Sequence, residues 1–171
     1  MEKNFKFSES LPYPQVVAGY PDLKQVQCIL NDYAGRESEL TAITLYIYQS
    51  LIFKNNYPEI SDAIEKIAIV EMKHFELLGD AIQDLGGDPI MGGTKAFWNG
   101  SFVNYIKNPR KALMFDIQAE ENAILNYKKS IACSPNATVR ALIERIILDE
   151  ECHIVIFKDL LASLSENALN I

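Results

Sequence analysis

Two tetrapeptides carry residue types that bind metal ions: Glu71-Met-Lys-His74 and Glu150-Glu-Cys-His153. They contain the only two histidines of the chain, each three residues after a glutamate. Both sit in long runs with helical periodicity. On a helix, positions three apart share a face, so one carboxylate and one imidazole can grip the same divalent cation. Two such helices, each completed by a glutamate from a further helix, can hold two metals in the core of a four-helix bundle.

The elements that must position these residues are legible. Residues 1–21 hold Pro12, Pro14 and Pro21 and read as an extended arm. From Asp22 to about Asn55 no proline occurs and Leu23, Val26, Leu30, Tyr33, Leu40, Ile43, Ile47 and Leu51 recur at helical spacing, predicting one long first helix with a kink or close packing at Gly35. Pro58 suits the first turn of a second helix, which Gly86-Gly87 ends. Residues 86–108 are rich in glycine, with Phe97, Trp98, Phe102 and Tyr105 as anchors, and are long enough for a crossover along a bundle. Pro109 opens a third helix running to about Cys133. Ser134-Pro135 reads as the cap and first-turn proline of a fourth, ending near Ser165. The expected organisation is an arm (1–21), an all-α bundle of two hairpins joined by a crossover (22–165) and a short tail (166–171).

The two hairpins also repeat in sequence. Glu39-Leu-Thr-Ala-Ile-Thr-Leu-Tyr46 and Glu120-Glu-Asn-Ala-Ile-Leu-Asn-Tyr127 share the pattern E-x-x-A-I-x-x-Y. Ile64-Glu-Lys-Ile67, Glu71, His74 and Asp80 are matched by Ile143-Glu-Arg-Ile146, Glu150, His153 and Asp159. Self-similarity of this kind marks a duplicated unit. It selects Glu39 and Glu120 as the completing glutamates, since Glu37 and Glu121 have no counterparts.

The candidate metal ligands, and with them the catalytic residues, are therefore Glu39, Glu71, His74, Glu120, Glu150 and His153. Four carboxylates and two neutral imidazoles balance two divalent ions, which removes the cost of buried net charge. Oxygen and imidazole donors without a thiolate suit iron, with manganese as the other choice. Bridging carboxylates set such ions roughly 3.5–4 Å apart, close enough to clamp one small molecule. Tyr46 and Tyr127, two turns past the lone glutamates, are placed to hydrogen-bond carboxylates across the site. Asp149 is placed to orient a histidine of the other hairpin, whereas its counterpart Val70 has no polar group.

Composition narrows the class. A chain of 171 residues, 49% apolar, suits one domain with a sizeable core. The net charge of −7 argues against nucleic acid as a partner. No apolar run is long enough to cross a membrane and the first residues lack a signal-peptide core, so a soluble cytoplasmic protein is expected. Cys28, Cys133 and Cys152 form no C-x-x-C pair, which excludes a rubredoxin-type site, and are expected as small unpaired core residues rather than a disulfide framework.

Ser38-Glu-Leu-Thr-Ala-Ile43, Glu71-Met-Lys-His74 and Asp149-Glu-Glu-Cys-His-Ile154 resemble bacterioferritin motifs, and Tyr33-Ala-Gly35 resembles rubrerythrin and manganese catalase. Across residues 22–163 the chain looks like a member of the ferritin-like superfamily. The resemblance implies a ferritin-like bundle with a di-iron or di-manganese centre and an oxidoreductase that reduces H2O2 or O2. It carries over all six ligand positions, and it makes Met72 a candidate haem ligand between subunits. Three departures qualify it. The seventh glutamate of rubrerythrin is replaced by Ala123. The cysteines cannot form a rubredoxin domain, so the electrons would come from an external donor. The chain past the fourth helix is too short for the fifth helix of a ferritin cage, so a small homo-oligomer, a dimer first, is expected. A ferroxidase in which Fe2+ is the substrate, and a metal-stabilised structural protein without turnover, stand as the alternatives.

Overall fold

The computed structural model describes residues 5–169; residues 1–4 of the arm and 170–171 of the tail lie outside them. Five α-helices follow one another: α1 (Leu23–Ala34), α2 (Glu39–Phe53), α3 (Pro58–Asp84), α4 (Pro109–Cys133) and α5 (Ala137–Leu169). No strand occurs among the described residues; a single antiparallel bridge joins Gly92 to Phe97. α2 packs along α3 and α4 along α5, and α1 lies against α3 and α4.

The first helix is not continuous as the periodicity suggests. It stops at Gly35, whose N–H closes on Asn31 O at 2.9 Å, and restarts at Ser38. Ser38 Oγ accepts from Thr41 N–H and donates to Gly35 O at 2.8 Å, so one hydroxyl satisfies groups at both broken ends. At Gly35 a Cβ would meet Asn31 O at 2.5 Å. The fourth helix is also capped two positions later than the Ser-Pro pair implies. Asn136 Oδ1 accepts from Thr138 N–H at 2.8 Å and Val139 N–H at 3.3 Å, so Asn136 caps α5. α5 then runs past Ser165 to Leu169, so residues expected as tail are helical.

α3 ends as its glycines suggest. Gly86 has φ +80 and its N–H bonds Gln83 O at 2.8 Å, while Gly87 N–H reaches Ile82 O at 2.8 Å. The crossover is anchored by Trp98, whose Nε1–H donates to Thr41 Oγ1 at 2.9 Å, and by Tyr33 OH donating to Pro89 O at 3.1 Å. Phe97 is mainly exposed, whereas the half-exposed Tyr105 still sets its ring edge-on against Tyr48 of α2, with centroids 5.0 Å apart.

Two apolar clusters fill the bundle. One gathers Ile29, Tyr33, Leu78, Ile82, Leu142, Ile143 and Ile146. The other gathers Leu45, Ile64, Ile67, Leu113, Ile156, Phe157 and Leu160. Each fully buried branched side chain contributes about 1.5–3 kcal/mol relative to exposure. On both α3 and α5 the two clusters are separated by one stretch, Glu71–His74 and Glu150–His153, so a polar layer divides the core.

Cys28 on α1 and Cys133 at the end of α4 form a disulfide with Cα atoms 5.9 Å apart. This corrects the expectation of unpaired cysteines. Cys133 closes α4 beside α1, a proximity created by the fold and invisible at a separation of 105 residues. Cys152 is free.

Candidate metal centre

The polar layer brings together all six residues singled out in the sequence, each at most 4% exposed. Ligand atoms fall into two sets, Glu39, Glu71, His74 and Glu150, and Glu71, Glu120, Glu150 and His153, with every atom of a set within 4.8 Å of the others. Glu71 and Glu150 belong to both sets and are the natural bridges. The histidines are arranged alike. His74 Nδ1 lies 3.0 Å from Glu71, 3.2 Å from Glu150 and 3.8 Å from Glu39. His153 Nδ1 lies 3.0 Å from Glu71, 3.0 Å from Glu150 and 3.8 Å from Glu120.

Electrostatics follow from crowding like charges out of water. Burial, then the Glu71 charge, pushes the Glu39 carboxyl well above its ordinary range. Burial, then Glu150, does the same to Glu120. Burial alone would discharge the imidazoles, but the surrounding carboxylates outweigh it: His74 is raised well above 6.5, and His153 to about 9. For Glu71 burial is likewise outweighed, by His153 and His74, and its carboxyl is held low. Glu71 Oε1 is buried and, although His153 Nδ1 lies 3.0 Å away, no donor is aligned to hydrogen-bond it. A cluster of carboxylates that cannot all ionise, with a donor atom left unsatisfied among them, fits a pair of divalent cations.

The tyrosines cross the site. Tyr46 OH donates to Glu120 Oε1 at 2.5 Å, and Tyr127 OH donates to Glu39 Oε1. Each tyrosine thus holds the terminal glutamate of the other hairpin. Burial, then Glu120, keeps Tyr46 protonated far above its ordinary value, so it remains a donor. Asp149 Oδ2 accepts from His74 Nε2 at 3.1 Å. Hydrogen bonds from His74, Tyr13, Glu9 N–H and Arg145 overcome the burial of Asp149 and hold it at about 2. Met72 is 45% exposed on the outer side of α3 and does not face this layer.

Several participants escaped sequence reasoning. The arm lies over the histidines: Phe7 O is 3.0 Å from His153 Nε2, and Tyr13 OH donates to Asp149 Oδ2 at 2.6 Å. A backbone carbonyl leaves no trace in a sequence. Arg145, whose Nη1 donates to Asp149 at 2.7 Å, could have been found from its four-residue spacing. Two buried aspartates flank the centre. Asp116 accepts from Gln49 at 2.8 Å, and Asp32 accepts from Ser130 Oγ–H. Gln49 and Ser130 stand ten residues after Glu39 and Glu120 and obey the repeat, whereas the aspartates they hold do not: Asp116 stands four residues before Glu120 and Asp32 seven before Glu39.

Opposite the histidines, a cavity of about 410 Å³ reaches Glu39, Glu71, Glu120 and Glu150. Its wall includes Leu45, Ala119 and Ala123, and Arg36 and Glu37 also border it. Ala123 leaves room where a larger side chain would intrude.

Such a bundle, with a buried carboxylate–histidine layer, is a ferritin-like protein with a candidate dinuclear centre. The rubrerythrin family model matches residues 34–161, and the chain belongs to that family. It is 28% identical over 130 residues to a bacterioferritin of Desulfovibrio desulfuricans, covering 74% of this chain and 69% of the relative. Among solved structures, a manganese catalase of Anabaena superposes with a TM-score of 0.82 at 24% identity, over 94% of this chain and 81% of the other. The D. desulfuricans bacterioferritin, a protein with a diiron site, superposes at 0.71 with 23% identity, over 84% and 81%.

Among the described residues no helix is long and apolar enough to cross a membrane.

Proposed function

We propose that this chain is a non-haem oxidoreductase that reduces peroxide or dioxygen at a dinuclear iron centre, manganese being the other metal its donors accept, with electrons from an external donor. The carrying observation is the pair of interlocked ligand sets that share Glu71 and Glu150 and open on a cavity. Glu39 and His74 would hold one ion and Glu120 and His153 the other. Two redox-active ions held there would supply two electrons to one O–O bond, so that H2O2, two electrons and two protons would give two waters.

The chain's own groups set the conditions. Carboxylates facing the cavity leave one side accessible to a small oxidant. Tyr46 and Tyr127 fix the terminal glutamates, and Tyr46 stays protonated. The arm and Asp149 cover the histidine side and exclude water there. The test is elemental analysis of protein purified without chelators, combined with H2O2 turnover with and without a reductant. Two ions per chain and reductant-dependent loss of peroxide are expected. Loss without reductant would mean disproportionation instead, and absence of metal would refute the reading.

A second reading, ferroxidation with Fe2+ as substrate, is favoured by one feature: Asp32 and Glu37 line the cavity and place acidic groups on the way to the centre. Fe2+ consumption under O2 with stoichiometric ferric product and a large shell by size exclusion would establish it over the first.

A further inference from the structure

The repeat predicts that whatever orients one histidine has a counterpart orienting the other. Asp149, one residue before Glu150, accepts from His74 Nε2 at 3.1 Å. The matching residue before Glu71 is Val70, which offers no acceptor to His153. The arm fills that position. Phe7 O lies 3.0 Å from His153 Nε2. The arm reaches the other histidine too, through Asp149, which accepts from Glu9 N–H at 2.6 Å and Tyr13 OH at 2.6 Å. Arg145 clamps the same stretch, donating to Glu9 O at 2.6 Å, Leu11 O at 2.7 Å and Asp149 at 2.7 Å, with its guanidinium 4.4 Å over the Tyr13 ring.

We infer that residues 7–13 of the N-terminal arm are a positioning element of the metal centre, the Phe7 carbonyl standing in for the carboxylate that the first half of the repeat lacks at Val70. This rests on the six-ligand reading above. An acceptor on Nε2 keeps a proton there and leaves Nδ1 as the atom that faces the Glu71 and Glu150 carboxylates and would bind a cation between them once its own proton is given up. Both histidines are held so, but by different acceptors. His74 has an anionic partner supplied by the bundle, and His153 a neutral one supplied only by the arm. The two metal positions are therefore unequal, and the one at Glu120 and His153 depends on the arm.

The test removes residues 2–8, joining Met1 to Glu9, so that the Phe7 carbonyl goes while Glu9 N–H, Leu11 and Tyr13 remain. Metal-free full-length and shortened chains are titrated with Mn2+ against a competing chelator. The full chain should take two ions. The shortened chain should keep one affinity and lose about ten- to a hundred-fold in the other, the usual effect of removing a ligand's outer partner, with its helix content unchanged. Phe7→Ala, which keeps the carbonyl, should bind like the full chain. A second readout needs no metal: with 15N-histidine only two rings are labelled, and the His153 Nε2–H should exchange with solvent much faster in the shortened chain.

Unchanged affinities and an unchanged ring signal would overturn the inference while leaving the metal reading intact. So would equal weakening at both positions, or a loss in Phe7→Ala as large as in the deletion. If the full chain binds no metal, the metal reading fails and the ring signal alone decides whether the arm holds His153.

Discussion

At the scale of single residues, the layer separates into bridging and terminal roles that a substitution can tell apart. Glu120 belongs to one ligand set, so Glu120→Ala should lower metal content from two ions per chain to one; two ions retained would remove Glu120 from the set. Asp116 tests burial without metal. Burial raises its carboxyl to about 8, against the pull of the Gln49 hydrogen bond and from an ordinary value of 3.8. A group whose folded value is raised stabilises fully below the unfolded value and loses that contribution as pH rises through the folded one. Denaturant unfolding of metal-free protein should therefore show stability declining between pH 4 and 8, with a smaller slope in Asp116→Asn, the raised carboxyls of Glu39, Glu120 and Asp32 contributing the rest. Holding a carboxyl protonated costs the fold about 1.4 kcal/mol for each pH step above its unfolded value, so the difference should be a few kcal/mol by the upper end. Equal slopes in the two proteins would mean that Asp116 is ionised in the fold.

At the scale of elements, the repeat explains why the two E-x-x-H motifs meet. Both Glu71 and Glu150 stand thirteen residues after the first residue of their helix. α2 continues one residue further past Glu39 than α4 does past Glu120, and its turn is one residue longer, which accounts for the 32- and 30-residue spacings. Periodicity revealed the helices and the repeat revealed the ligand set, because both are patterns along one chain. The break at Gly35–Ser38 was obscured because apolar spacing continues across it, although Ser38 before Glu39 is a capping signal. The arm was legible only as extended, since its contacts with the centre use main-chain atoms. The glycine that ends α3 provides a check on local structure. Gly86 sits at positive φ, and a Cβ there would meet Pro21 Cβ at 2.8 Å. Left-handed backbone costs other residues roughly 1–2 kcal/mol, so Gly86→Ala should lower stability by at least that much, seen as a drop in Tm with metal stoichiometry retained.

At the scale of the whole molecule, the disulfide ties α1 to the end of α4 and closes a loop spanning most of the chain. In the chain-entropy account a loop of about 100 residues gives about 4.7 kcal/mol. Reduction should therefore lower the denaturation midpoint markedly. Alkylation of the unfolded, unreduced protein should label one cysteine, Cys152, and three after reduction; three labels without reductant would show that the pair is open. Three cysteines without a spacing motif could not announce this pairing, which exists only once two distant helix ends are neighbours.

The closed and open sides of the polar layer have one more consequence, for maturation. With the arm laid over the histidines, the cavity on the carboxylate side offers the ligands of a folded chain a way to solvent. A metal ion and a small oxidant of the kind proposed would then share a doorway, and whichever arrived first would delay the other. Loading should be fast while the arm is still loose on a refolding chain and slow once it has settled, so Mn2+ supplied during refolding should be taken up faster than Mn2+ supplied afterwards.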